Sequence, residues 1–321
     1  MEKGRRLFIL IDAQAVLHRA WHALPKLTDP RGRVVNAVYG FSALLLKLIN
    51  EQKPDYLIVA FDTEAPTFRH KEYKEYKAGR EKQPQEFYDQ IPLSKTVIDA
   101  FDIPVFIKEG FEADDLIGTI VQAERKKNSN LEFLIVSGDL DLCQLVDSQT
   151  SLYYLRQGLS QIKIYDLEAI KERFELMPEQ LIDFKALRGD PSDNIKGMEG
   201  VGPKTALGLM KKFKNLEGLY QYLKNCFEKG KKCQIKQSLA ERLWGKKEQV
   251  FRDQRLVTIE KNIPGLNLDK IKCLKNFDYE KITEVFQNLG FKSLIKRLGK
   301  NDLSQPNDKT FLVENRQNKL F

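Results

Sequence analysis

The stretch Ile135-Val-Ser-Gly-Asp-Leu-Asp-Leu-Cys143 decides how the chain reads. An apolar run over residues 131–137 breaks at Gly138 into a turn that presents Asp139 and Asp141. Short apolar runs bounded by Gly and Asp read as buried strands, and open α/β sheets bind ligands at the carboxyl ends of their strands. Two carboxylates held ~4 Å apart repel by roughly 4 kcal/mol at a surface-like dielectric. No Lys or Arg adjoins these two in the sequence, so a cation is expected between them. One such acid alone would read as the N-cap of the next helix. The question is whether other acids share the arrangement.

They do. Residues 5–11 read as a first strand ending on Asp12, and Tyr56-Leu-Ile-Val-Ala-Phe61 as a second ending on Asp62. A third strand over 103–107 leads to Glu112-Ala-Asp114-Asp115 at a helix start. Acids there suit the helix dipole, but three within four residues exceed what a cap requires. The hairpin 151–156/161–165 follows the 131–137 strand. Helical spacing marks 36–52 and 86–101, then 166–174, 178–188, 203–213, 215–223, roughly 234–252, and 278–289. The shift to all-helical pattern divides the chain into residues 1–175 and 176–299, with a polar tail at 300–321.

Two segments outside the acids carry their own signal. Residues 66–86 hold seven basic or histidine side chains interleaved with Phe68, Tyr73 and Tyr76, and Lys71, Lys74 and Lys77 are spaced by three as on one side of a helix. Almost nothing in that segment is expected to enter a core. Either it is a solvated charged loop, or it meets a single strand whose phosphates need cations and whose bases stack on rings. In Gly189-Asp-Pro-Ser-Asp-Asn-Ile-Lys-Gly-Met-Glu-Gly-Val-Gly-Pro-Lys-Thr-Ala206, Asp190 and Asp193 add two acids. Gly200-Val-Gly202 with Pro203 turns into a helix N-terminus, where free backbone N–H groups and Lys204 suit a phosphate. The plainer reading is a helix-to-helix turn that uses glycine for positive φ.

Composition bounds the remainder. The chain has 321 residues, 42% hydrophobic, with 19 Phe, enough for a real core, and a formal charge of +8 that points to a polyanionic partner. Cys143, Cys226, Cys233 and Cys273 lie in no metal-ligand spacing and read as reduced thiols in a cytosol. No apolar stretch approaches the ~18 residues of a membrane span. His18 and His22 have helical spacing but no third ligand nearby, and read as ordinary helix residues. Asp12, Asp62, Glu112, Asp114, Asp115, Asp139 and Asp141 on one sheet edge, joined by Asp190 and Asp193, form the oxygen-rich set that Mg²⁺ or Mn²⁺ prefers. Two such ions can activate a water and stabilise the leaving oxygen in phosphodiester cleavage.

These motifs, together with Phe68-Arg-His, Tyr76-Lys-Ala-Gly-Arg80, Ser137-Gly-Asp-Leu-Asp-Leu-Cys-Gln-Leu and Gly-Val-Gly-Pro-Lys-Thr-Ala206, resemble the bacterial 5′-nuclease family over residues 5–298. That family includes the N-terminal nuclease part of DNA polymerase I and is related to the flap endonucleases; on this reading the chain would be the nuclease part without a polymerase. The resemblance implies an α/β fold: a PIN-like core with a mostly parallel sheet, plus a helical domain of helix-hairpin-helix type with its turn at 197–206. It implies a first metal on Asp12, Asp62, Glu112 and Asp114, and a second on Asp139, Asp141 and Asp193, with Asp115 and Asp190 in support. Segment 66–86 would be the arch passed by the 5′ strand, with Lys77 and Arg80 on the scissile phosphate, Arg19 on another, and Arg69 and Tyr76 against DNA. Gly200, Gly202, Lys204 and Thr205 would grip the duplex, in relatives often with K⁺.

Two departures stand out: His18 replaces a common Tyr, and Leu140 replaces a frequent basic residue. The implied protein is a cytoplasmic, nucleoid-associated monomer acting on 5′ flaps, nicks or RNA primer–DNA hybrids, with no membrane partner. Gln317, Leu320 and Phe321 have the spacing of peptides that bind a bacterial sliding clamp, against the plain alternative of chance. The competing functional readings are a PIN-type ribonuclease, which is usually shorter, and a DNA-binding scaffold whose nuclease has decayed, which should have lost carboxylates.

Overall fold

The computed structural model describes residues 5–230, 232–274 and 277–298. Six strands form one sheet: β1 (Arg6–Asp12), β2 (Tyr56–Ala60), β3 (Val105–Phe106), β4 (Leu131–Ser137), β5 (Thr150–Gln157) and β6 (Gln161–Tyr165). Their order is β3-β2-β1-β4-β5-β6. All neighbours run parallel except the β5–β6 hairpin. β1 and β4 carry the apolar runs Leu7–Ile11 and Phe133–Val136 because both their faces are covered, as parallel strands require.

Alternate residues of each strand feed two apolar layers. Phe8, Leu10, Ile58, Phe133 and Ile135 point to a layer shared with Leu116 and Ile120, and this layer continues into Leu187, Met210, Leu219 and Leu243 of the helical half. Ile9, Ile11, Val59, Leu134 and Val136 point to the other layer. There they meet the helices Ala13–Ala23, Asn36–Gln52 and Gln90–Ala100, together with Ile282, Phe286 and Leu294 from the end of the described chain. The helical half is thus packed onto both faces of the sheet. Tyr39 and Ser293, 2.9 Å apart through their hydroxyls, join the two ends across the second layer.

Strand order reverses between β1 and β4, since β2 and β3 lie to one side of β1 and β4 to β6 to the other. Such a switch point opens a crevice at the carboxyl ends of the strands. Asp12 ends β1 and Gly138 follows β4 at that place.

Several elements differ from expectation. The helix expected over 86–101 is two, Gln85–Tyr88 and Gln90–Ala100. That expected over 234–252 is Gln237–Gly245 and Lys247–Val257, broken where Lys246 leaves helical geometry after a glycine. β3 shrinks to two residues behind Pro104, and Lys292–Leu298 is a further helix. Segment 66–86 does not present a lysine-lined helix: before Gln85 only Phe68–Glu72 is helical, and Lys77 takes a left-handed φ of 54° in the turns that follow. Among the described residues no helix is long and apolar enough to cross a membrane.

Candidate active site

The acids reach the crevice by different local means, each of which fixes one carboxylate through backbone geometry. Asp12 caps the helix Ala13–Ala23, accepting from the Ala15 N–H at 3.1 Å, and also accepts from Ser137 Oγ at 2.8 Å across the switch point. Asp62 accepts from the Ala113 N–H at 2.6 Å, which ties the end of β2 to the start of the helix Ala113–Lys127. Glu112 is the N-cap of that helix, and Asp114 lies in its first turn. Asp139 accepts from the Asp141 N–H at 2.8 Å, so the turn after β4 is held by one of its own acids. Asp190 and Asp193 come from the loop behind Pro178–Arg188, closed by a bridge between Asp190 and Ile195.

Crowding shows in the electrostatics. Burial pushes the Asp12 carboxyl up to about 7, and the charges of Asp62 and Asp139 add to it. Asp62 and Asp114 are also raised, chiefly by burial and further by Glu112 and Asp115 respectively. Asp141 rises to about 7 through burial and the adjacent Asp139, although Lys185 works against the shift. One ligand oxygen from each of Asp141, Asp190 and Asp193 falls within 4.8 Å of the others. A set of buried carboxylates whose charged forms are disfavoured by one another is completed by a hard cation with oxygen preference. The donor set therefore fits divalent ions of the Mg²⁺ and Mn²⁺ kind.

The acids have basic neighbours in space, none of which adjoins Asp139 and Asp141 in the chain. Lys77 Nζ lies 2.7 Å from Glu112 Oε1, and Arg80 Nη2 lies 2.7 Å from Asp193 Oδ1. Burial opposes both positive charges, but Glu112 and Asp193 outweigh it and hold Lys77 and Arg80 above their usual ranges. Tyr76 puts its hydroxyl 3.1 Å from Glu112 and 3.0 Å from Asp193, sharing one proton between acids 81 positions apart. Lys185 bonds both Asp141 and Asp190, the latter at 2.7 Å. Sequence reading missed Lys185. Its one available signal was its place a turn before Asp190, which looks like an ordinary helix-surface lysine.

Three expected roles are corrected by these contacts. Arg69 cannot lie against DNA: it is 2% exposed and donates to Asp115 twice at 2.7 Å, to the Leu256 carbonyl at 2.9 Å and to the Thr258 carbonyl at 2.8 Å. Asp115 is not free to hold a metal, since its oxygens also accept from the Glu112 and Glu260 N–H groups at 3.0 and 2.8 Å. Tyr76 is buried, so it offers no face for stacking. Tyr73 is likewise turned inward, under the Arg252 guanidinium at 4.9 Å, and Phe68 rests on Phe111.

Arg19 lies across Gly138, donating to its carbonyl at 3.0 Å, and a Cβ at Gly138 would come within 2.6 Å of Arg19 Nε. A side chain at position 138 would push the Arg19 side chain aside. Gly200, Gly202 and Lys204 are exposed at the mouth of the helix Pro203–Phe213, with Thr205 half-buried. Gly197 has φ of 65°, and a Cβ on it would sit 2.2 Å from the Gly189 nitrogen, so two turns touch backbone to backbone.

Comparison with known proteins agrees with this architecture. Residues 7–175 match the family described as 5′-3′ exonuclease, N-terminal resolvase-like domain, and residues 176–300 match the 5′-3′ exonuclease, C-terminal SAM fold. The chain belongs to the 5′-3′ exonuclease family. It is a nuclease, with a PIN-like, resolvase-like α/β part and a helical SAM-fold part. DNA polymerase I of Bacillus subtilis is 38% identical over 307 residues, covering 95% of this chain and 34% of that protein. DNA polymerase I of Mycobacterium tuberculosis is 34% identical over 299 residues, covering 92% and 32%. The chain thus spans about a third of the length of these curated relatives. Among solved structures, T5 5′-exonuclease with bound divalent metal ions (zinc) superposes with a TM-score of 0.67 at 21% identity, covering 88% of this chain and all of that one. The T5 D15 flap endonuclease in a complex with DNA and metal ions gives 0.65 at 21% identity, covering 92% and 100%. At that identity the likeness is one of fold.

Two outcomes follow from the contacts. Arg69→Met should strand the Asp115 carboxylate in the interior and cost about 3–5 kcal/mol, read from chemical denaturation; a loss below about 1 kcal/mol would show that Asp115 does not need this partner. Asp12→Asn removes one of the mutually repelling buried charges. In EDTA the variant should melt at or above the wild-type temperature, whereas added Mg²⁺ should raise the wild type more than the variant. A D12N protein that melts well below wild type in EDTA would contradict the crowding described here.

Proposed function

We propose that the chain hydrolyses DNA phosphodiesters beside the junction of single and double strand, as a divalent-cation-dependent 5′-3′ exonuclease and flap endonuclease. The observation that carries this reading is the crevice itself, where carboxylates lacking full compensation are faced by Lys77, Arg80 and Arg19. Asp12, Asp62, Glu112 and Asp114 would hold one Mg²⁺ or Mn²⁺, and Asp139, Asp141 and Asp193 a second, with Asp190 steadying the second group through Lys185. Two ions so held supply an activated water and stabilisation of the leaving oxygen.

The chain's own groups do the rest. Lys77 and Arg80 now rest on Glu112 and Asp193, and a phosphate entering between the acids would draw them onto its oxygens, where they offset charge in the transition state. Tyr76 keeps the two groups of acids in register. Arg19, fixed over Gly138, would hold a neighbouring phosphate.

In this reading residues 1–175 are the catalytic unit, with 66–86 as an arch whose aromatic rings brace it from inside. Residues 176–299 bind the duplex, gripping it with the exposed turn at 200–205, where backbone carbonyls also suit K⁺. The substrates are nicked or flapped DNA and RNA primer–DNA hybrids, met by a monomer in the bacterial cytoplasm. The tail 300–321 lies outside the described residues and would dock on a sliding clamp through Gln317, Leu320 and Phe321.

The deciding experiment incubates a 5′-labelled flap on a nicked duplex, and linear single-stranded DNA and RNA, with Mg²⁺ or EDTA. Wild type should release the flap at the junction only with Mg²⁺. Asp139→Asn should lose on the order of a hundredfold or more, given that even outer partners of a metal site are worth 10–100-fold. Cleavage confined to RNA would make the protein a ribonuclease, and tight flap binding without cleavage would make it a scaffold. For the tail, removing residues 317–321 should abolish clamp binding while leaving flap cleavage intact; binding retained by the truncated protein would refute that role.

A further inference from the structure

The helix Ala13–Ala23 carries His18 and His22 one turn apart, both exposed. Their Nε2 atoms face each other at 3.3 Å, with ring centroids 4.5 Å apart and planes at 62°. A neutral imidazole pair can share one proton at that distance, although it lies beyond the usual 2.7–3.2 Å range of N–H···O bonds. The separation has a second meaning. A cation bonded to two imidazole nitrogens at about 2.0–2.1 Å, with a tetrahedral angle between the bonds, sets the nitrogens about 3.3 Å apart. Histidines at i and i+4 on one helix face are also the spacing by which helices chelate zinc.

Aromatic packing holds the His18 ring in place. The His18 ring is braced edge-on by Phe87 at 6.0 Å, and Phe87 is itself buried and packed against Trp21 at 5.8 Å. Partial desolvation holds His18 below its ordinary pKa, and the nearby His22, Arg19 and Arg80 depress it further. The pair lies on the wall of a cavity of about 1170 Å³ that Arg19, Lys47, Glu51 and Arg297 also line, with room for water in the open positions of a bound ion. Imidazole nitrogens select Zn²⁺, Ni²⁺ or Cu²⁺ over Mg²⁺, a different class from the oxygen-rich crevice.

We propose that His18 and His22 form a separate transition-metal site, holding one Zn²⁺-class cation through both Nε2 atoms with water in the open positions. This does not rest on the nuclease reading, since neither histidine is one of the crevice acids, although Arg19 and Arg80 lie beside His18.

The test uses the full chain in saturating Mg²⁺, titrated with Zn²⁺ by calorimetry, beside His18→Tyr and His22→Gln. Wild type should bind one more equivalent of Zn²⁺ than either variant. Zinc K-edge absorption on wild type at one equivalent should show two imidazole scatterers. Equal stoichiometry in all three folded proteins overturns the proposal. If a variant fails to fold, the absorption measurement on wild type still decides: a zinc shell of oxygen or sulfur alone refutes the site.

Discussion

Carboxylates repel one another most strongly where water is excluded, and of the acids at the carboxyl end of this sheet Asp12, Glu112, Asp115 and Asp190 are buried, with Asp62, Asp114, Asp141 and Asp193 half-buried beside them. Burial, reinforced by the neighbouring carboxylates, lifts Asp12 and Asp141 to about 7, well outside the ordinary aspartate range. Such a collection persists only if the backbone holds each acid in place, and it does so with groups that the secondary structure leaves unpaired. Asp12 takes the free N–H of one helix start and Asp62 that of another. Asp139 and Asp190 close their own turns. The crevice is therefore built from helix and strand ends, whose free N–H groups hold its acids.

The second consequence is long-range. Partial compensation comes from Lys77, Arg80 and Lys185, and the brace below it from Arg69, so segments distant in sequence are tied to the sheet edge by charge. Arg69 alone joins the segment 66–72, the helix Ala113–Lys127 and the backbone at residues 256–258. Replacing a buried pair with apolar groups is often neutral, whereas removing one partner is costly. The Arg69–Asp115 pair thus specifies where the segment 66–80 sits more than it adds net stability. The helical half is held by the same device, because Glu260 donates its N–H to Asp115 while the apolar layer runs unbroken beneath.

What could be read from the chain follows this division between local and tertiary causes. Apolar runs that end on an acid are local signals, so β1, β2 and β4 and their terminal carboxylates were legible. Pro178 and Pro203 marked helix starts that the structure keeps. The partners were not legible. Lys185 looks like a surface lysine until Asp141 arrives from 44 positions away. Arg69 and Tyr76, in a segment dense with charge, read as surface groups, and their burial depends on Asp115, Glu112 and Asp193 being there to receive them. The threefold spacing of lysines in 71–77 misled for a related reason: the left-handed backbone at Lys77 and the anchoring of Tyr76 override any helical tendency.

The contacts of Lys77 and Arg80 have a functional reading within the proposed activity. A cation waiting to meet a phosphate cannot be left unpaired in a crevice where water is partly excluded, and here it rests on the acids themselves. Each such contact must be exchanged when a phosphate enters, so the resting ion pairs weaken binding to any ligand that cannot engage both the cations and the acids. In the proposed reaction a phosphodiester accompanied by divalent ions would satisfy both at once, with the acids holding the ions and Lys77 and Arg80 the phosphate. A lone anion releases the cations but leaves Glu112 and Asp193 stranded, with their repulsion restored. The same exchange makes cation binding and phosphate binding mutually reinforcing, because each frees the partner that the other requires.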